Sequence, residues 1–241
     1  MPANEKTLDG LVPAGFFIVR TANVVPGADA PRTRLVSLSS CLADFLPHSW
    51  TRRTTSMEDS ERVSKAERFG CTPDALVQLL DAADRLDEGG QCAWQAAFAS
   101  LETLHAFLAA CPCDAPDALI IAMCASSTCL DSVLTKLQPA AFPGQRTLAD
   151  TLRERHPLPA GGRLLGWEVL GEDGPGDFCS WQCLGLERKL TASMGLHLNA
   201  NGLLERAEEA TAVARHGNDA DSGWEPIDYL PWALVEYSRT P

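Results

Sequence analysis

The chain has 241 residues, 45% of them hydrophobic, and its 32 acidic residues against 20 basic ones give a formal net charge of −12. That length can bury a sizeable core, and with no long linker rich in glycine, serine or proline a single domain spanning 1–241 is expected. The negative field repels phosphate backbones and attracts cations or basic protein surfaces, which argues against nucleic acid as a partner.

No apolar run reaches the roughly 18 residues that span a bilayer, and the first twenty residues lack the pattern of a secretory signal. A cytoplasmic protein away from membranes is expected. Nine cysteines at irregular spacings point to reduced, mostly buried thiols rather than a disulfide framework.

In chain order, Phe16-Phe17-Ile18-Val19-Arg20 and Arg34-Leu35-Val36-Ser37-Leu38 are rich in strand formers and predict an N-terminal hairpin within 14–40. Ser39 or Ser40 could cap a short helix through Leu46, stopped by Pro47, with a polar loop over 48–60. A helical middle follows over 60–160. Thr72-Pro73-Asp74 starts a helix carrying Leu76, Leu79, Leu80 and Ala83, stopped by Gly89-Gly90, and a second helix is predicted from Gln91 to Ala110. Asp117 to Cys124 reads as a strand, Ser126 or Ser127 as the cap of a helix to Leu137, and Thr147 to Arg155 as another helix.

The last unit, 161–238, is predicted to run strand, helix, helix, strand. Arg163 to Leu170 would place Leu165, Trp167 and Val169 on one face and Leu164, Gly166, Glu168 and Leu170 on the other, as a central strand. After the turn Gly171 to Asp177, Asp177 could cap a helix with Cys179, Cys183, Leu186, Leu190 and Met194 on its stripe. Leu203, Ala207, Ala210 and Ala214 mark a last helix, and Trp232 to Tyr237 a closing strand. The fold class is therefore α+β: a small mixed or antiparallel sheet packed with several helices.

Chemistry-bearing clusters are few. Cys111, Cys113, Cys124, Cys129, Cys179 and Cys183 with His105 are of zinc-ligand type, but their spacings do not form paired Cys-x2-Cys knuckles. His48, His105, His156, His197 and His216 could each serve a cysteine nucleophile, yet none lies in a local signature, and no Gly-x-Ser-x-Gly elbow follows a predicted strand. Glu172, Asp173 and Asp177 would repel phosphate and do not follow the spacing of a calcium loop. No motif asks for a cofactor or a metal.

Charge is uneven. Residues 168–228 contain twelve acidic and four basic residues, and Glu205, Glu208 and Glu209 are expected to share one helical face.

Gly166 to Gly171, Phe178 to Glu187 with its Phe-x-Ser-Trp-x-Cys-x-Gly-Leu-Glu, and Leu230 to Tyr237 with its Leu-Pro-Trp-x-x-Val-Glu-Tyr form a composite pattern. The pattern resembles a group of uncharacterised bacterial cytoplasmic proteins. Members carry His before the Ser-Trp pair and Asn after the Cys, where this chain has Cys179 and Leu184. The resemblance implies a compact α+β protein, and similar small acidic proteins are common as immunity partners of secreted toxins.

The expectation is a non-enzymatic interaction protein, most concretely an immunity protein that neutralises a basic toxin domain through an acidic surface. Its expected contact residues are Glu172, Asp173, Asp177, Trp181, Glu205, Glu208 and Glu209, with Trp167 or Trp224 as further anchors if exposed. The alternative is a small hydrolase or transferase with a carboxylate base near the 171–177 turn and a neighbouring His. A scaffold subunit is a third possibility.

Overall fold

The computed structural model describes residues 8–21, 35–46, 59–93, 97–110, 118–139, 146–174, 177–184 and 187–239. The strands are β1 (Leu11–Thr21), β2 (Ala43–Leu46), β3 (Cys92–Ala93), β4 (Ala97–Phe98), β5 (Ala118–Ser126), β6 (Arg163–Glu172), β7 (Phe178–Ser180) and β8 (Tyr229–Tyr237). The helices are α1 (Asp59–Arg68), α2 (Pro73–Glu88), α3 (Leu101–Ala110), α4 (Leu130–Leu134), α5 (Leu148–Glu154), α6 (Glu187–Met194) and α7 (Ala207–Gly217). The fold is α+β, with one antiparallel sheet in the order β3-β4-β1-β5-β8-β6-β7 and β2 paired to the far end of β1. No helix among the described residues is long and apolar enough to cross a membrane.

Strand period explains the layers. On β1, β5 and β8, Phe16, Ile18, Ile120, Ala122, Cys124, Ala233 and Val235 point into one core, shared with α2, α3 and α7. Their alternates Phe17, Val19, Ile121, Met123, Ala125, Trp232 and Leu234 point into a second core, shared with α4 and α5. A sheet covered on both sides needs apolar residues at consecutive positions, which is why these strands read as nearly unbroken hydrophobic runs.

Strand β8, expected to close the sheet over 232–237, starts earlier and lies centrally between β5 and β6. Strand β6, expected to be central, has only the three-residue β7 beyond it. Its faces also differ from simple alternation. Leu165 joins the second core while Trp167 and Val169 join the first, because the register with β8 slips between Leu164 and Gly166. At that slip Gly166 has φ +152°, and a Cβ there would stand 2.7 Å from Leu203 Cβ and 2.9 Å from Leu204 O. The absent side chain lets Trp167 and Leu204 exchange two backbone bonds of 2.9 Å, while Asn199 Nδ2 donates to Leu165 O at 2.6 Å.

Other elements depart from expectation through local hydrogen bonding. The predicted helix over 91–110 is only α3, since Ser100 Oγ accepts the Thr103 amide at 3.1 Å and starts the helix there. The residues before it form the β3–β4 hairpin, whose Ala97 Cβ would be 3.0 Å from a Cβ on Gly15; Trp94 lies outside the described residues. In place of a helix after Ser39, the Leu42 and Ala43 amides both donate to Ser39 O and turn the chain into β2. That strand, not the segment from Arg34, pairs with β1; Val36 N donates to Asn201 O at 3.0 Å instead. The helix expected to Leu137 is short, with Cys129 at its N-cap, whereas α5 has the full capping box of Thr147 and Asp150.

Gly166→Ala is expected to lower the unfolding free energy by about 2–4 kcal/mol, combining overpacking with a strained φ. Gly90→Ala, at φ +67° with nothing within 4 Å of its Cβ, carries the backbone term alone, about 1–2 kcal/mol. Urea denaturation of both variants against the parent chain measures the two effects; equal losses would contradict the close approach at Gly166.

Candidate functional site

The 171–177 turn closes a hairpin and does not start a helix. Asp173 N donates to Asp177 O at 2.8 Å, Asp177 N donates to Gly174 O at 3.0 Å, and β6 pairs with β7 through Leu170–Ser180, Gly171–Cys179 and Glu172–Phe178. A 3-10 turn, Trp181–Leu184, follows directly. Cys179 and Cys183 therefore flank a strand end and a tight turn, and do not share an α-helical stripe.

This hairpin is tied to the segment Ser37-Leu38-Ser39-Ser40-Cys41 by a series of polar side chains. Glu168, on the β6 face that looks into the second core beside Trp232, is 0% exposed. Its carboxylate accepts the Ser37 hydroxyl, the Leu38 amide at 2.9 Å and the Ser180 hydroxyl. Ser39 Oγ lies 3.1 Å from Cys183 Sγ and accepts the Cys41 amide at 3.3 Å. Ser40 Oγ donates to Asp177 Oδ1 at 2.7 Å. Two stretches more than a hundred residues apart are thus joined by a strip of hydroxyl, thiol and carboxylate groups.

Burial sets the protonation states here. It pushes the Glu168 carboxyl up to about 7 although Ser37, Leu38 and Ser180 all favour the ionised form. The Cys183 thiol is raised by burial, against bonds from Ser39 and the Ser180 backbone, with Cys41 and Glu168 adding repulsion. Cys179 is also raised, first by burial and then by its bond to Glu225 and by Cys183. Tyr229, raised by burial and by Cys179, faces the same thiols. Protonated thiols beside a shared carboxyl are poor nucleophiles at neutral pH.

The expected contact residues are scattered by the fold. Asp173, Glu205 and Glu208 are exposed, and Asp177 is half-buried. Glu209, expected beside Glu205 and Glu208 on an outer face, is instead 6% exposed. Burial opposes its charge, yet Arg206 at 2.6 Å and His197 at 3.3 Å hold its carboxyl below the ordinary range. Glu172 is buried as well and accepts the Gln138 amide at 2.6 Å. Trp181 is 0% exposed, and Trp167 and Trp224 are buried too, so none of these is a surface anchor. Trp224 packs edge-on to Tyr229, with ring centroids 4.7 Å apart.

Among the described residues, no His, Cys or Lys side chain hydrogen-bonds Asp173 or Asp177; Asp177 accepts the Ser40 hydroxyl instead. The described imidazoles are engaged elsewhere: His105 with Ser238 O at 3.0 Å, His156 with Glu154 at 3.1 Å, His197 with Glu209, and His216 edge-on to Trp224. His48, Cys111 and Cys113 lie outside the described residues, while Cys124 is buried in the first core and Cys129 is exposed. No group of three or more described His, Cys, Asp or Glu residues could hold a metal ion.

Sequence reasoning passed over Glu168, although a carboxylate between Trp167 and Val169 on a strand apolar on both faces was the available signal. The ionised form is the costly one for Glu168, so the folded chain keeps this proton up to about pH 7, whereas the unfolded chain releases it near the ordinary 4.5. The folded state binds more protons between those values, and its stability is fully present below the lower one and declines as pH rises through the upper. The decline is on the order of 3 kcal/mol in total. Glu168→Gln is expected to flatten that slope in urea titrations from pH 4 to 8. Glu168→Ala leaves the Leu38 amide and two hydroxyls without an acceptor and should cost about 2–4 kcal/mol. An unchanged slope in the Gln variant would contradict the buried-acid assignment.

In comparisons with known proteins, the chain matches no family model, no curated protein and no solved structure.

Proposed function

We propose that the chain is a non-enzymatic binding protein, most concretely an immunity protein that occupies a basic toxin domain in the bacterial cytoplasm. The observation that carries this reading is where the acidic side chains lie. Beyond α6, Glu205, Glu208, Asp219, Asp221, Glu225 and Asp228 are all exposed, while of the basic residues there Arg206 is committed to Glu209. Asp228 pairs with Lys136 at 3.1 Å. A surface of one sign raises the rate of encounter with a partner of the other sign more than it tightens the final complex.

Cys183, His197 and Glu168 support the same reading from the other side, since they are taken up in internal bonds or held protonated. With Trp181, Glu172 and Glu209 inward, the contact surface reduces to Asp173, Glu205 and Glu208 together with the exposed carboxylates of 219–228. An apolar anchor is then supplied by the partner, not by Trp167, Trp181 or Trp224.

The test is a pull-down of the product of the neighbouring reading frame, followed by stopped-flow association with the captured protein. The association rate is expected to fall on the order of tenfold between low and high salt. Glu205→Gln with Glu208→Gln should slow association several-fold while leaving dissociation nearly unchanged. A rate indifferent to both salt and the double substitution would sink the steering role, and turnover of a small substrate by the isolated chain would replace the binding reading with a catalytic one.

A further inference from the structure

We propose that Cys41 and Cys183 are a reversible redox pair, joining in a disulfide by exchange with a low-molecular-weight disulfide and thereby pinning the 35–42 segment to the β6–β7 hairpin. The inference does not depend on the protein-binding reading. Its geometric basis is Ser39 Oγ, which touches Cys183 Sγ at 3.1 Å and accepts the Cys41 backbone amide at 3.3 Å, so that the Cys183 thiol and the Cys41 backbone meet at a single oxygen. Both are free thiols. Cys41 is exposed at the turn that leads into β2, and Cys183 is half-buried in the 3-10 turn.

The two thiols differ in a way that orders the reaction. The exposed Cys41 thiolate attacks one sulfur of oxidised glutathione, forming a mixed disulfide and releasing one glutathione thiolate. That thiolate takes up the Cys183 proton. The Cys183 sulfur then attacks Cys41 Sγ, the bond to glutathione breaks, and the second glutathione leaves with its electron pair and takes a proton from solvent. Two protein thiols are oxidised and one glutathione disulfide is reduced, so atoms and electrons balance. Burial and the nearby Glu168 keep Cys183 protonated, which makes closure the slow step. Cys179 is set aside because its thiol is turned to Glu225 and Tyr229.

The segment that would be pinned has few backbone bonds into the sheet. Before β2 it is held by Ser37 and Leu38 on Glu168, by Ser40 on Asp177 and by Val36 on Asn201. A covalent tie between Cys41 and Cys183 adds to contacts that proton and solvent exchange can loosen.

The experiment uses the full chain, reduced, then incubated with oxidised glutathione, blocked with an alkylating agent and digested without reduction for mass spectrometry. The expected product is a Cys41–Cys183 peptide pair that retains no glutathione. It should be lost in Cys41→Ser and retained in Cys179→Ser, and Cys183→Ser should accumulate glutathione on Cys41. Closure should quicken about tenfold per pH unit from neutral upward, as the thiolate fraction of Cys183 grows. Cys41 recovered as a stable glutathione adduct in the parent chain, paired with Cys179 or Cys129, or still alkylated would each overturn the proposal. Because the parent chain's own peptide map decides the pairing, a variant that fails to fold does not rescue it.

Discussion

A carboxyl group sealed from water costs several kcal/mol unless donors surround it or it gives up its charge, and Glu168 does some of both. Its donors come from Ser37 and Leu38 on one side and Ser180 on the other, so the group can be accommodated only when the 35–41 segment and the β6–β7 hairpin arrive together. An apolar residue at this position would pack against Trp232 without requiring either. The carboxyl therefore makes the edge of the sheet conditional on a contact between distant parts of the sequence, a specificity that burial of hydrocarbon alone does not impose.

The same economy of polar contacts recurs along that edge. Gly166 admits the 199–204 segment against β6, Asn199 then bonds Leu165, Asn201 and Leu203, and Gln182 Nε2 donates to Gly202 O at 3.0 Å. Strand β6 is thus completed on one side by β8 and on the other partly by β7, with side chains standing in where a longer strand would have supplied backbone partners. Its nearly continuous apolar sequence reflects cover on both faces. It does not reflect a central place in the sheet, and that distinction cannot be read from hydrophobicity.

What the sequence disclosed follows the same division between local and distant causes. Helices α2, α5 and α7 and strands β5, β6 and β8 were legible because proline, capping residues and periodic apolar positions act within a few residues. The predicted helices after Ser39 and Asp177 and the first half of 91–110 failed where a short apolar run was claimed by a tertiary partner: β2 by β1, β7 by β6, and β4 by β1. Helical spacing in Cys179, Cys183 and Leu190 was a coincidence of a strand, a 3-10 turn and a separate helix, and Leu186 lies outside the described residues. At the site, exposure of Glu208 was readable from its helix face, whereas Glu205, expected on the same face, is exposed in the chain before α7 begins. The inward turn of Glu209 was not, because it depends on Arg206 and on His197 reaching it from another segment.

These placements sort the acidic groups by environment. Inside, Glu168 holds its proton to about 7 and the Cys179 and Cys183 thiols stay neutral, while Glu209 is tied to Arg206 and His197. Ionised Glu168 and an ionised Cys183 would repel one another across a medium of low dielectric, so gain of charge by either opposes it in the other. Below about pH 7 the buried Glu168 and these thiols add little charge to the interior, and exposed carboxylates gather on surfaces such as 205–228. Concentrating like charge outside lowers the stability of the compact state through self-repulsion. A basic partner of the kind proposed, seated on that surface, would relieve the repulsion, so the feature that weakens the isolated fold would favour the proposed complex.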